Sequence, residues 1–265
     1  MVVGGWGVYC AVMSVELVSV TFETLEPARA ARFWATLLGR DVDARDTGAR
    51  DTHPQDTDAR DSGAGVVLRG GDGQLGLRFV AGRAGELGAN RMHLHLTSAE
   101  PEDQQRTVGA AVRLGGRHLD VGQRAEEGHV VLADPAGYEF CVIEAGNAYL
   151  AGCGLLGELA CDGTREVGLF WSAALDWPLV WDRDGETAVQ SPHGGTKVAW
   201  GGPPVAPKRG PNRQRFDLVA VGTGRRVAAE VDRLVTLGAT VLATGDDGAV
   251  VLADPDGNEF HLRGR

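Results

Sequence analysis

The chain is poor in cysteine. It has four in 265 residues, Cys10, Cys141, Cys153 and Cys161, and no C-x-x-C pair. That leaves neither a disulfide framework nor a ribbon-type zinc site, and reduced thiols are the expectation. No apolar run is long enough to span a membrane, and no basic segment opens a secretory signal. A cytoplasmic location without a membrane partner is therefore expected. Positive charge is also scarce: 26 Lys and Arg stand against 36 Asp and Glu, a formal charge of -10. Such a balance argues against a nucleic-acid partner, because phosphate binding needs a basic surface. There is no G-x-S-x-G elbow, and Gly194-Gly195-Thr196-Lys197 lacks the earlier glycine of a phosphate-binding loop.

What the chain does have is a phrase written twice. Val130-Val131-Leu132-Ala133-Asp134-Pro135-Ala136-Gly137-Tyr138-Glu139-Phe140 returns as Val250-Val251-Leu252-Ala253-Asp254-Pro255-Asp256-Gly257-Asn258-Glu259-Phe260. The copy marks a duplication. The Asp-Pro-x-Gly core of each phrase is turn chemistry. Proline sets φ, the aspartate accepts backbone N–H groups, and glycine tolerates a positive φ.

Periodicity extends the repeat to four units. Val15–Thr24 alternates as a strand, Ala28–Leu38 reads as a helix ended by Gly39, and strands follow at Gly65–Arg69 and Gln74–Val80 around a Gly70–Gly73 turn. The pattern restarts with a strand at Arg91–Thr97, a helix at Glu102–Leu114 and strands at Arg117–Val121, His129–Ala133 and Tyr138–Glu144. Leu155–Cys161 and the helix Arg165–Leu175 open the third unit, where Phe170-Trp171 matches Phe33-Trp34. Asn212–Val221 and the helix Arg225–Leu237 open the fourth, where Asn212-Arg213 matches Asn90-Arg91. The reading is α+β: four βαβββ units paired into two domains, 14–145 and 155–265, joined by a linker at 146–154. Residues 1–13 are expected to be a disordered extension with translation beginning at Met13. The Asp/Arg-rich stretch 43–63 is expected to be a disordered insert, since it has almost nothing apolar to bury.

Paired βαβββ units, a Phe-Trp on the first helix followed by Leu-Gly, an Asn-Arg-x-His strand and the closing Asp-Pro-x-Gly-x-Glu-Phe together resemble the vicinal oxygen chelate superfamily. The similarity is to its glyoxalase-like branch, related to bleomycin-resistance proteins, and it spans roughly residues 14–263. It implies curved mixed sheets with outer helices, each pair of units forming an open cup for a small molecule. In metal-dependent members the first and last strands of each unit carry the ligands.

Strand parity then selects candidate residues. Leu94 and Leu96 should face a helix, which turns His93 and His95 into a cup. Phe140 and Val142 should do the same, which turns Glu139 and Cys141 inward. Ser19, Thr21 and Glu23 come from the first strand and Arg78 from the third, so all of these are expected in the first cup. Arg215, Asp217, Glu259 and His261, joined by Glu158, are expected in the second as ligand-binding residues or an ion-pair network. Of the clustered Trp171, Trp177, Trp181 and Trp200, most should pack in the core and one or two line an aromatic pocket. His93, His95, Glu139 and Cys141 are transition-metal donors by type, and Glu139 and His95 are the candidate acid–base pair. The family pattern is incomplete, with Ser19 near a histidine position and Cys141 where catalytic members carry glutamate. The resemblance therefore implies a small-molecule-binding protein with no cofactor expected, as a monomer or homodimer. The alternative is a metal-dependent lyase, isomerase or dioxygenase holding Zn, Fe, Ni or Mn.

Overall fold

The computed structural model describes residues 15–42, 65–71, 73–82, 90–124, 126–221, 224–246 and 248–265. The expected N-terminal extension and the Asp/Arg-rich insert lie outside the described residues. Within them the fold is α+β, with two curved mixed sheets and four helices.

The first unit comprises β1 (Val15–Thr24), α1 (Pro27–Leu38), β2 (Val66–Leu68) and β3 (Gly76–Ala81). Pro27 starts α1, where its missing N–H matters least, and Gly39 ends it in the left-handed conformation at φ 63°. The second unit comprises β4 (Met92–Leu96), α2 (Pro101–Arg113), β5 (Arg117–His118), β6 (Val130–Ala133) and β7 (Glu139–Val142). The third comprises β8 (Leu156–Cys161), α3 (Arg165–Leu175), β9 (Leu179–Arg183), β10 (Glu186–Gln190) and β11 (Lys197–Trp200). The fourth comprises β12 (Gln214–Ala220), α4 (Gly224–Leu237), β13 (Thr240–Thr244), β14 (Val250–Ala253) and β15 (Glu259–Gly264). Periodicity had not separated β9 from β10, because the segment mixes charge with single apolar residues.

The units do not pair in chain order. The seven-stranded sheet runs β13-β14-β15-β12-β1-β3-β2 and the eight-stranded sheet runs β5-β6-β7-β4-β8-β11-β10-β9. Unit one thus joins unit four, and unit two joins unit three. The seams are antiparallel pairs of first strands, β1 with β12 from Val15↔Ala220 to Phe22↔Gln214, and β4 with β8 from Met92↔Cys161 to Leu96↔Leu156. This corrects the expected grouping. Ser19, Thr21, Glu23 and Arg78 share a sheet with Asp217 and His261, whereas His93 and Cys141 share one with Glu158.

One large apolar cluster runs through both sheets and the helices, including Phe22, Phe33, Trp34, Phe140, Trp171 and Phe260. The duplicated Trp and the duplicated Asp meet inside it. The Trp34 indole N–H donates to Asp134 Oδ2 at 2.9 Å, and the Trp171 indole N–H donates to Asp254 Oδ2 at 3.2 Å. The other carboxylate oxygen closes the turn, Asp134 Oδ1 accepting from the N–H groups of Ala136 and Tyr138, and Asp254 Oδ1 from those of Asp256 and Asn258. The first-unit helix α1 and the third-unit helix α3 are thereby pinned to the Asp-Pro turn of the unit that follows each.

Two glycine loops, one from each half, also touch. The Thr196 N–H donates to the Gly73 carbonyl at 3.1 Å, and a Cβ on Gly195 would fall 2.0 Å from that oxygen. Glycine here permits backbone contact between the halves, which is the role of the motif that resembled a phosphate loop.

Candidate functional site in the eight-stranded sheet

Strand parity places the side chains as expected. Leu94, Leu96, Phe140 and Val142 are all buried on the helix side, with Phe140 edge-on to Trp34 at 5.0 Å between ring centroids. His93, His95 and Cys141 consequently project from the opposite face. Their donor atoms lie within 4.8 Å of one another, and the two imidazole centroids are 4.7 Å apart. Glu139 is not among the convergent donors. Its place beside the histidines is taken by Glu158, which the sequence reading had put with Asp217. Register explains the exchange, because β8 pairs with β4 and sets Glu158 directly across from His95.

Glu158 is buried and doubly bonded. His95 Nδ1 lies 2.7 Å from its Oε2, and the Tyr149 hydroxyl donates to its Oε1 at 2.6 Å. A carboxylate on Nδ1 orients the ring and leaves Nε2 as the free donor. Burial works against the Glu158 carboxylate, but the hydrogen bonds and charge of its neighbours outweigh it and hold its pKa below the usual value. Burial and then the neighbouring His95 push the His93 imidazole down to about 4, so at neutral pH it is an uncharged nitrogen donor. Burial, then the carboxylates Glu139 and Glu158, push the Cys141 thiol up to about 12. Cys141 is therefore a protonated thiol that yields its proton only to a metal. Burial raises the half-buried Glu139 above its ordinary value.

These residues fit a divalent cation. Two imidazoles and a thiol converge from adjacent strands, and a carboxylate braces one of the rings, as tetrahedral nitrogen–sulfur sites require. They fit zinc best, since thiolate and imidazole suit it better than manganese. Lys197 stands on the last strand of the third unit, opposite Glu158.

The expected linker also belongs to this site. Leu150 and Cys153 are buried against Val131, Cys141 and Ile143 as a second, smaller apolar cluster. Tyr149 leans over the sheet, its ring 4.0 Å beneath the Lys197 ammonium and 5.9 Å from Trp181. The Lys197 ammonium also donates to the Tyr149 carbonyl. Sequence reasoning missed Glu158, Tyr149 and Lys197 as members of this constellation, because their approach depends on which units pair.

The concave face of the seven-stranded sheet differs in chemistry. Asp217 accepts from the hydroxyls of Ser19, at 2.9 Å, and Thr21, and His261 Nδ1 lies 4.0 Å from its other oxygen. Arg215 pairs with Glu23, and Glu259 accepts from Lys208 and from the Asn212 N–H. Arg78 is buried on β3, directly opposite Thr21, and its charge bears on His261 rather than on His93. The partners differ from the expected network: Arg215 pairs with Glu23 of the first unit, Glu259 with Lys208, and Asp217 with two hydroxyls, while Glu158 lies in the other sheet.

The glyoxalase-like domain model matches residues 19–143 and 158–263, and the chain belongs to that family. Glyoxalase I from Zea mays has the same fold across both halves, with a TM-score of 0.62, 13% identity, and coverage of 94% of this chain and 92% of the maize one. A putative dioxygenase from Bacillus subtilis subsp. subtilis str. 168 is also similar, with a TM-score of 0.54, 12% identity, and coverage of 95% of this chain and 85% of that one. No curated protein matches the chain significantly. No helix among the described residues is long and apolar enough to cross a membrane.

Proposed function

We propose that the chain takes a small oxygen-bearing organic molecule into the cup of the eight-stranded sheet, against a divalent metal held by His93, His95 and Cys141. The convergence of those three donors, with Glu158 behind His95, carries this reading. It favours the metal-dependent alternative over a metal-free binding protein. Three protein donors leave a coordination position for substrate, the pattern of catalytic rather than structural zinc. When bound, the cation supplies polarisation of a substrate oxygen and stabilises charge that develops there. The chain's own residues do the rest. Glu158 fixes the His95 ring, and Glu139, on the neighbouring last strand and raised in pKa by burial, is the group for moving a proton. A redox-inactive metal directs this assignment to a lyase or isomerase rather than a dioxygenase.

The test is metal analysis of the full chain purified without added metal, followed by zinc titration of the chelator-treated protein. One divalent ion per chain is expected, lost in His93→Ala and in Cys141→Ser. Wild-type protein that neither retains nor takes up a stoichiometric ion would overturn the proposal. A stoichiometric ion retained in both variants would overturn the choice of residues.

A further inference from the structure

The cup of the eight-stranded sheet holds one buried charge that the proposed metal chemistry leaves unused. Register sets His95, Glu158, Lys197 and Gln190 in one row across β4, β8, β11 and β10, on the face that carries the donor cluster. Residues directly opposite one another in a ladder share a face. Lys197 is only 9% exposed, and a lysine at that depth calls for an anion beside it. Among the described residues no Asp or Glu forms an ion pair with it. Its ammonium instead donates to the Tyr149 carbonyl and lies 4.0 Å from the centre of the Tyr149 ring. Glu158, its neighbour in the row, is already committed. His95 Nδ1 lies 2.7 Å from one carboxylate oxygen, and the Tyr149 hydroxyl donates to the other at 2.6 Å. On the other side, the Gln190 amide donates to the Gly195 carbonyl at 2.8 Å.

A carbonyl dipole and an aromatic face both attract an ammonium, but a carboxylate holds it more strongly. The carbonyl also takes only one of the three N–H groups. Tyr149 therefore occupies two places that a ligand could fill. Its hydroxyl sits on Glu158, and its carbonyl and ring sit on Lys197. The same linker packs Leu150 and Cys153 against Cys141, so it lies beside the metal donors as well. A cavity of about 330 Å³ between this linker and Thr97, Ser98 and Ile143 gives the linker room to move.

We infer that the small molecule taken by this cup is an anion, whose oxygen-bearing end meets the metal at His93, His95 and Cys141 and whose carboxylate pairs with Lys197 in place of Tyr149. The inference deepens the proposed function and rests on it for the position of the oxygen-bearing end. Lys197 is the residue that selects charge, and Tyr149 is the group that the ligand displaces. The backbones of His95 and Lys197 stand two strands apart, about 10 Å. The ligand accordingly carries its carboxylate on a short chain, away from the oxygens that meet the metal.

The experiment uses glutarate and its mono-amide, glutaramate, titrated by calorimetry into the full chain. Zinc content is measured in every sample, and affinities are compared at one zinc per chain and after zinc removal. Each probe offers a carboxylate to the metal, but only glutarate has a second one for Lys197. Glutarate should bind saturably to the zinc-loaded chain, at least about tenfold more tightly than glutaramate, the value of one charge-assisted hydrogen bond. Lys197→Met keeps the length of the side chain and removes its charge. In that variant the two probes should bind within about twofold of each other, since the interaction that separates them is gone. If Lys197→Met does not fold, as thermal unfolding reports, Lys197→Gln replaces it, because an amide can still donate to the Tyr149 carbonyl. Equal affinities in the wild-type chain, or a preference for glutarate that persists in the Lys197 variant, overturn the anchor and leave the metal proposal standing. Failure of glutarate to bind the zinc-loaded chain also overturns the inference. A preference that needs no zinc, yet is lost in the Lys197 variant, supports the anchor and overturns the metal.

Discussion

The His95 imidazole and the Glu158 carboxylate meet at 2.7 Å across the seam between the second and third units. Neither half of the chain contains this pair by itself. It brings a residue before the linker together with one after it, and it turns a histidine on a strand into an oriented donor. The Tyr149 hydroxyl on the other carboxylate oxygen ties the linker to the same point.

Glu158→Gln tests the value of that orientation. The substitution keeps the shape but replaces the anion that fixes the His95 tautomer. Zinc affinity of the chelator-treated protein should fall about 10- to 100-fold, the range for outer-sphere carboxylates. Competition against a chromophoric chelator measures it. An unchanged affinity would mean that His95 is not a ligand.

The paired Trp–Asp bonds make an asymmetric prediction about stability. Trp34→Phe leaves Asp134 Oδ2 without its indole donor inside the core, and should destabilise by about 1–3 kcal/mol beyond the change in packing. Trp171→Phe should be milder, because the Asn258 amide also approaches Asp254 Oδ2, at 3.3 Å. Urea unfolding of the two variants gives the comparison. Equal losses would show that the Asn258 amide does not compensate for the lost indole donor.

The pH dependence of the metal-free protein follows from His93. Its folded pKa, about 4, lies below the ordinary 6.5 because the buried ring resists charge. At pH above 6.5 the ring is neutral folded or unfolded, and its full contribution is present. As pH falls from 6.5 towards 4 the unfolded chain gains a proton that the fold does not, so stability declines. His93→Gln should remove that part of the decline. Thermal unfolding temperatures of both proteins across pH 4–7, with chelator present, provide the check. Parallel curves would show that His93 is solvated as in a peptide.

Glycine at the contact between halves gives a further comparison. Gly194 and Gly195 both have positive φ, 79° and 91°, so alanine is strained at either. Only at Gly195 does the new Cβ also strike backbone, the Gly73 carbonyl. Gly194→Ala should cost about 1 kcal/mol, and Gly195→Ala clearly more. Chemical unfolding measures both, and an inverted order would contradict the packing of the two loops.

Much of the fold was legible because its signals are local. The alternation of Leu94 and Leu96 with His93 and His95 needs only the two-residue period of a strand, and the burial of the leucines follows it. The Asp-Pro-x-Gly turns announce themselves by turn chemistry, and the structure shows the aspartates accepting the backbone N–H groups that such turns leave over. Trp181 is the counter-example. Its sequence neighbourhood does not separate it from the core residues Trp171 and Trp200, and only its strand's place at the far edge of the sheet sets it in the cup.

By itself, then, the sequence determined that four similar units exist, which residues of each strand share a face, and that His93, His95 and Cys141 look the same way. Tertiary structure decided which units share a sheet. Period-two patterning marks the two faces of a strand but is silent about its edges, where hydrogen-bonding groups are the same for every residue. Pairing β4 with β8 and β1 with β12 is a long-range choice of edge. It gave Glu158, Tyr149, Lys197 and Trp181 to the histidine cup, and it left Arg78 beside Asp217 and His261 in the other.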